Sequence, residues 1–319
     1  MQNLLITGIH GFVGSNLVKY HSKESTIYGL DIVQPQKEGV ECTYSWADLD
    51  RDAIPQVDAV IHLAGKAHDT KNKSAADVYF KVNTELTKKA FDYFSHHQKI
   101  KKFIFFSSVK AAVDKVAGDI LTEDVTPCPV GPYGESKVKA EEYILDRLGK
   151  EPLLYEGRDV IILRPCMIHG PGNKGNLNLL YGVISKGIPW PLGAFKNKRT
   201  FTSIDNLSFV IERLLNTDVE SGIYNMADDE ALSTNELIEV MCKAMRKRSR
   251  IWNLPKGLVK FGAKTGDILH LPLNTFRLDK LTENYVVSND KIKHALNIDK
   301  MPVAARDGLT QTIRSFQTQ

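Results

Sequence analysis

Short, solid apolar runs recur along the chain, at residues 3–7, 27–30, 42–46, 57–63, 103–106, 160–163 and 222–226. Runs of this length bounded by turn residues read as buried strands. Phe103-Ile104-Phe105-Phe106 is apolar at every position, as in a strand covered on both faces. Between the runs the period changes to that of a helix. Phe12, Leu17 and Val18 follow the first strand at helical spacing. Val78, Val82, Leu86, Ala90 and Tyr93 stripe a helix predicted over 76–97, facing either the core or a second copy. Further helices are predicted at 133–148 and 207–215. Residues 66–75 are polar and Lys-rich and read as a solvated loop, and 110–132, with Pro127, Pro129 and Pro132, as a loop over a site. Strand and helix in alternation predict an α/β fold on a parallel, doubly wound sheet.

At 319 residues the chain has room for two domains, or for one large α/β domain with a lobe. A net charge of +4 does not demand nucleic acid and suits a small anionic substrate. Cys42, Cys128, Cys166 and Cys242 are scattered, without metal spacing, and read as reduced thiols of a cytoplasmic protein. The first residues lack a signal-peptide pattern. No apolar run approaches the ~20 residues of a membrane span.

The first strand runs into Gly8-Ile9-His10-Gly11-Phe12-Val13-Gly14 and then a helix. Glycines at this spacing permit a sharp turn and let backbone amides and a helix N-terminus approach a pyrophosphate. Asp31 ends the second strand, where a carboxylate suits a ribose 2′-hydroxyl and repels a 2′-phosphate. This predicts a Rossmann-type nucleotide site and favours NAD, with NADP left open. Leu63-Ala64-Gly65 closes the fourth strand with small residues that let the chain pass the cofactor. His62, inside that apolar strand end, reads as a packed residue. Asn83 is polar within its helix and within reach of a strand end.

Ser107-Ser108 follow the fifth strand, at the sheet edge where ligands bind in such folds. Tyr133 and Lys137 stand one helical turn apart on a shared face. An ammonium beside a phenol favours the phenolate, and bringing a tyrosine from about 10 to about 7 takes roughly 4 kcal/mol. The pair reads as a proton-transfer device, with Ser108 placed to orient a substrate oxygen.

The set Gly8-x-x-Gly11-x-x-Gly14, Asp31, Asp48-Leu49, Leu63-Ala64-Gly65, Asn83, Ser107-Ser108, Tyr133-x-x-x-Lys137 and Leu163-Arg164-Pro165 resembles the extended short-chain dehydrogenase/reductases. More narrowly it resembles their NAD-dependent epimerase/dehydratase branch, which acts on sugar nucleotides. The resemblance spans nearly the whole chain. It implies a catalytic set of Ser108, Tyr133 and Lys137, and cofactor contacts from Asp48, Leu49, Asn83, Ser107 and Pro165 beside the glycine turn. It also implies an NAD-binding domain over 1–165, to which 199–221 returns, and a smaller α/β substrate lobe over 166–319. A homodimer through the helices near 76–97 and 133–148 is a further implication.

Dehydratases of this branch carry Thr-Asp-Glu after the fifth strand, whereas Ser108-Val109-Lys110 stands here. The missing carboxylates disfavour elimination and leave epimerisation at C4 or reduction of a 4-keto sugar, on a UDP-hexose or UDP-N-acetylhexosamine. Lys110 faces the sugar or its diphosphate, or is solvated. By resemblance Asn176 contacts the diphosphate, or caps its helix. Trp190 stacks on the base, or packs. Arg199 and Arg277 resemble the arginines that hold the substrate phosphates. The basic residues from Lys243 to Arg250 read as a solvated helix end rather than a nucleic-acid patch. Two rival functions share the fold. One is reduction of a small non-sugar ketone. The other is a non-catalytic dinucleotide sensor or nucleic-acid-binding protein, which the Ser108/Tyr133/Lys137 set argues against.

Overall fold

A computed structural model of the chain describes residues 1–66, 75–173, 175–269 and 274–317. Most of the loop expected at 66–75 thus lies outside the described residues. Among the described residues nine strands form: β1 (Gln2–Thr7), β2 (Ser25–Leu30), β3 (Cys42–Tyr44), β4 (Ala59–His62), β5 (Lys102–Phe106), β6 (Asp159–Pro165), β7 (Met167–His169), β8 (Phe201–Ser203) and β9 (Gly222–Met226). Seven pair in the order β3-β2-β1-β4-β5-β6-β9, every pairing parallel. The chain starts mid-sheet and winds outward to each side, so the order reverses between β1 and β4, where such folds bind ligands. The register brings the strand ends level: Thr7 lies beside both Leu30 and His62, and His62 beside Phe105.

The solid apolar runs follow from helices on both faces. Ile104 and Phe106 enter one core with Leu4, Ile6 and Leu163, while Phe103 and Phe105 enter the other with Leu5, Val60 and Ile162. The first core is covered by α1 (Phe12–His21) and, much later in the chain, α8 (Ile204–Asn216) and α12 (Asp290–Leu296). The return to the large sheet therefore takes in more than 199–221, since β9 and α12 belong with it.

On the other face lie α2 (Trp46–Asp50), α3 (Ala76–Tyr79), a π-helical segment (Phe80–Glu85), α4 (Leu86–His96) and, after the short α5 (Val109–Ala112), α6 (Pro132–Lys150). The apolar stripe expected on 76–97 holds at its C-terminal end, where Ala90 and Tyr93 are buried, and is rotated at its start. Val78 is exposed and Val82 and Leu86 only half-buried, whereas Tyr79, Asn83, Thr84, Thr87, Phe91 and Phe94 face inward. Polar residues take the inner face because each finds a partner there: Asn83 on Ser136, Thr84 on the Ser136 carbonyl, Thr87 on His62.

The lobe has its own core, in which α7 (Asn176–Ser185), α9 (Thr234–Ala244), α10 (Lys256–Leu269), α11 (Thr275–Thr282) and α13 (Ala305–Gln317) pack beside the β7–β8 pair. Ser233 and Glu236 close a reciprocal capping box at the start of α9.

Candidate active site

Gly8 turns with φ +68°, and a Cβ there would sit 2.9 Å from the Ala64 nitrogen. A Cβ on Gly14 would lie 2.5 Å from the Gly8 oxygen. The glycines thus allow β1, α1 and the β4 loop to meet without side chains between them. Gly11 caps α1 with no side-chain hydrogen bond, so the helix N-terminus is left for an anion. His10, Phe12 and Val13 are half-buried around this turn. Asp31 locks it to β2: one carboxylate oxygen accepts from the His10 N–H at 3.0 Å, the other from Ile32 at 2.7 Å. This cradle fits a dinucleotide pyrophosphate with a ribose beside Asp31.

The floor of the cradle is held by a buried relay. Thr87 donates its hydroxyl proton to the Asn83 carbonyl, so its oxygen accepts from His62 Nε2–H. His62 Nδ1 then accepts from Thr7, whose oxygen takes the Ala64 N–H at 2.9 Å. Burial holds His62 neutral, with its pKa lowered to about 3. Asn83 continues outward: its Oδ1 accepts from the Lys66 N–H at 2.7 Å and its amide donates to Ser136. His62 is therefore a packed residue, and Asn83 does reach the end of β4, where Leu63, Ala64 and Gly65 pass.

Gly131 and Pro132 start α6. A Cβ on Gly134 would collide with the Lys110 carbonyl, so only glycine lets α6 lie against α5. That contact sets the Tyr133 phenol near enough to Ser108 for the serine hydroxyl to act on its pKa, and Ser108 caps α5 by accepting from the Lys110 N–H. Gly134 was legible only as a spacer in the motif, yet it sets this approach. Lys137 lies one turn on. Its Nζ donates to the Phe106 carbonyl at 2.7 Å, sits 4.9 Å from the Phe105 ring centroid, and borders Gly65.

The electrostatics differ from the expectation that the ammonium draws the phenol down. Burial pushes the Tyr133 phenol up, the Ser108 hydroxyl pulls the other way, and Tyr79, edge-on at 6.3 Å, raises it again. Lys137 shifts as well: burial lowers it to about 8, against the opposing pull of Glu141. Glu141 stands a further turn along α6 and grips Arg164 of β6 with two bonds, Nε to Oε1 at 2.9 Å and Nη2 to Oε2 at 2.5 Å. Ser107 donates to the same carboxylate. Its hydroxyl donor therefore serves this buried pair. Pro165 ends β6 beside Met226.

Other expected contacts are also spent on the fold. Asp48 accepts from the Ser45 N–H and hydroxyl in a capping box and pairs with Arg51, while Leu49 is buried. Trp190 is packed in the lobe core. Arg199 is paired internally, with the Glu283 carboxylate at 3.4 Å and the Lys280 carbonyl at 3.2 Å. A diphosphate there would have to displace Glu283. Asn176 and Arg277 are exposed in the first turns of α7 and α11, and the residue before Asn176, Gly175, holds the cap position.

Beside Ser108 the structure instead assembles a charged rim. Lys110 lies 4.3 Å over the Tyr285 ring, bonding the Asp114 carbonyl and carboxylate, and Lys280 reaches the same carboxylate at 2.9 Å. Lys280 stands far away in the chain and carries no motif, so sequence reasoning missed it.

The sequence model of the NAD dependent epimerase/dehydratase family matches residues 4–227. A UDP-glucose 4-epimerase of Vibrio cholerae is 30% identical, over 99% of this chain and 95% of its own length. An N-acetyl-α-D-glucosaminyl-diphospho-ditrans,octacis-undecaprenol 4-epimerase of Escherichia coli O157:H7 is 28% identical, over 91% of this chain and 84% of its own. Among solved structures, a UDP-glucuronic acid 4-epimerase from Bacillus cereus in complex with NAD superposes with a TM-score of 0.72 at 20% identity, covering 99% of each chain. That last likeness shows the shared fold.

Proposed function

This chain belongs to the NAD dependent epimerase/dehydratase family, and from that premise we propose that it interconverts configurations at C4 of a sugar carried on a diphosphate. NAD is the proposed cofactor. The observation that carries the reading is the buried Tyr133 phenol under the influence of the Ser108 hydroxyl, with no carboxylate at the two following positions, Val109 and Lys110.

The glycine turn from Gly8 to Gly14 and the α1 N-terminus hold the pyrophosphate in this proposal, and Asp31 takes the ribose 2′-hydroxyl while repelling a 2′-phosphate. NADP is the disfavoured alternative. A bound nicotinamide supplies the hydride acceptor and donor. Tyr133 takes the proton from the C4 hydroxyl and returns it to the C4 oxygen, Ser108 orients that oxygen, and Lys137 holds ribose hydroxyls. The high phenol pKa makes Tyr133 a strong base once ionised, and the Ser108 hydroxyl stabilises that form. Lys137, lowered to about 8, is poised to exchange a proton near neutrality. Lys110 and Lys280 share the Asp114 carboxylate, which leaves a positive excess on the rim suited to a diphosphate, while Arg199 stays paired with Glu283.

The carrier is UDP, as in the Vibrio relative, or a polyprenol, as in the Escherichia relative. We place the enzyme in the cytoplasm as a homodimer through the α4 and α6 faces, with residues 1–165 holding the cofactor and 166–319 most of the substrate. Incubation with UDP-glucose and UDP-N-acetylglucosamine tests the reading. Exchange of C4 epimers without net cofactor change supports it. Cofactor consumed in step with product marks a 4-ketoreductase, and no turnover or binding of any diphosphate sugar removes the reading.

A further inference from the structure

From Lys243 to Lys264 the chain carries eight basic residues and no acidic one, so with +4 overall the remainder is net negative by four. Within this stretch begins α10, whose inner face, Val259 and Ala263, is buried in the lobe core. Its outer face is also apolar. Leu258 is 59% exposed, Phe261 69% and Ile268 77%, and Trp252 just before the helix and Phe276 at the start of α11 are 55% and 69% exposed. Leu258, Phe261 and Ile268 follow helical spacing and share one side. Lys256, Lys260 and Lys264, each four residues from the next, flank it as a row. The one acid of α10, Asp267, is turned to α11, where it accepts from the Thr275 N–H at 3.0 Å and hydroxyl at 2.5 Å.

We propose that this α10–α11 face is a docking surface for an anionic lipid bilayer. An apolar strip bordered by lysines suits the plane of the headgroups: aromatic and aliphatic side chains enter the acyl boundary while ammonium groups reach lipid phosphates. Nucleic acid would use the cations but leave Leu258, Phe261, Ile268 and Phe276 in water. No described helix is long and apolar enough to cross a membrane, so the contact is peripheral. It also lies close to the site. Phe276 and Lys280 are four residues apart on α11, about 6 Å along the axis, and Lys280 joins Asp114 and Lys110 on the rim beside Ser108. If the sugar-diphosphate reading holds, the mouth of the site lies at the bilayer, where a sugar diphosphate carried on a lipid is within reach. Docking itself does not depend on that reading.

The test is co-sedimentation of the full chain with vesicles of phosphatidylethanolamine and phosphatidylglycerol, against vesicles of phosphatidylcholine. We expect binding to the anionic vesicles that weakens with salt. Phe261→Glu with Ile268→Glu lowers it about tenfold or more, and Lys260→Glu with Lys264→Glu removes the preference for anionic lipid. The proposal is overturned if the wild-type chain stays in the supernatant, or if the Phe261→Glu/Ile268→Glu variant binds as well as wild type. It is overturned equally if that variant only splits an oligomer, which makes the face a contact between copies. Binding to RNA in place of vesicles, sensitive to the lysines alone, also overturns it. Turnover of a soluble nucleotide sugar stays unchanged in the Phe261→Glu/Ile268→Glu variant, so docking and the C4 chemistry fail or stand separately.

Discussion

Replacing Lys137 with Met keeps the apolar stem over the Phe105 ring and removes the buried ammonium. In the folded protein burial lowers Lys137 from 10.5 to about 8. Between those values the unfolded chain holds a proton that the folded chain has released, so stability rises with pH through that window and is lost as pH falls toward 8. The whole displacement corresponds to about 3 kcal/mol, and the part that develops between pH 7 and pH 9 is about 1 kcal/mol. Lys137 is 4% exposed, so solvent screening takes little from this. Urea denaturation of wild type and Lys137→Met at pH 7 and pH 9 measures it. We expect the stability of wild type relative to the variant to improve by about 1 kcal/mol from the lower pH to the higher. Groups common to both proteins cancel in that difference, including Cys166, whose thiol burial pushes up to about 12. A difference independent of pH would mean that the ammonium is solvated, and the proposed proton exchange near neutrality at Lys137 would be refuted.

Two other substitutions probe neighbouring parts of the site. Glu141→Gln leaves Arg164 buried and unneutralised, and we expect a loss of about 3–5 kcal/mol in urea denaturation; a loss under about 1 kcal/mol would show that water reaches the pair. Asp31→Ser removes the carboxylate proposed to meet the ribose and repel a 2′-phosphate, so the ratio of NAD to NADP affinities by titration calorimetry should fall at least about tenfold; an unchanged ratio would place the ribose elsewhere.

The large sheet was legible because its strands are covered on both faces, which leaves solid apolar runs such as 103–106 that periodicity identifies directly. The glycine turn was legible because three backbone segments meet there and exclude side chains. Less visible were choices made by distant partners. The first half of 76–97 turned polar residues inward because Asn83, Thr84 and Thr87 find bonds on α6 and His62, elements distant in the chain. Arg199 has the residue type for a phosphate contact, but its pairing with Glu283 joins segments that no local pattern relates. The Tyr133–Lys137 spacing showed that the two share a helix face, yet not that burial would outweigh their mutual attraction. Nor could spacing show that Ser107 and Ser108, adjacent in sequence and alternating in direction, would serve different partners, one Glu141 and the other Tyr133.

The most direct measurement compares wild type with Tyr133→Phe, NAD present, on UDP-glucose and UDP-N-acetylglucosamine, following C4 configuration by NMR. The ring and its edge contact with Tyr79 are kept, and only the hydroxyl that meets Ser108 is lost. We expect epimer exchange by wild type, a fall in kcat of at least about a thousandfold in the variant, and NAD affinity within about twofold of wild type. Exchange by Tyr133→Phe at a rate near that of wild type would contradict the assignment of C4 proton transfer to this residue.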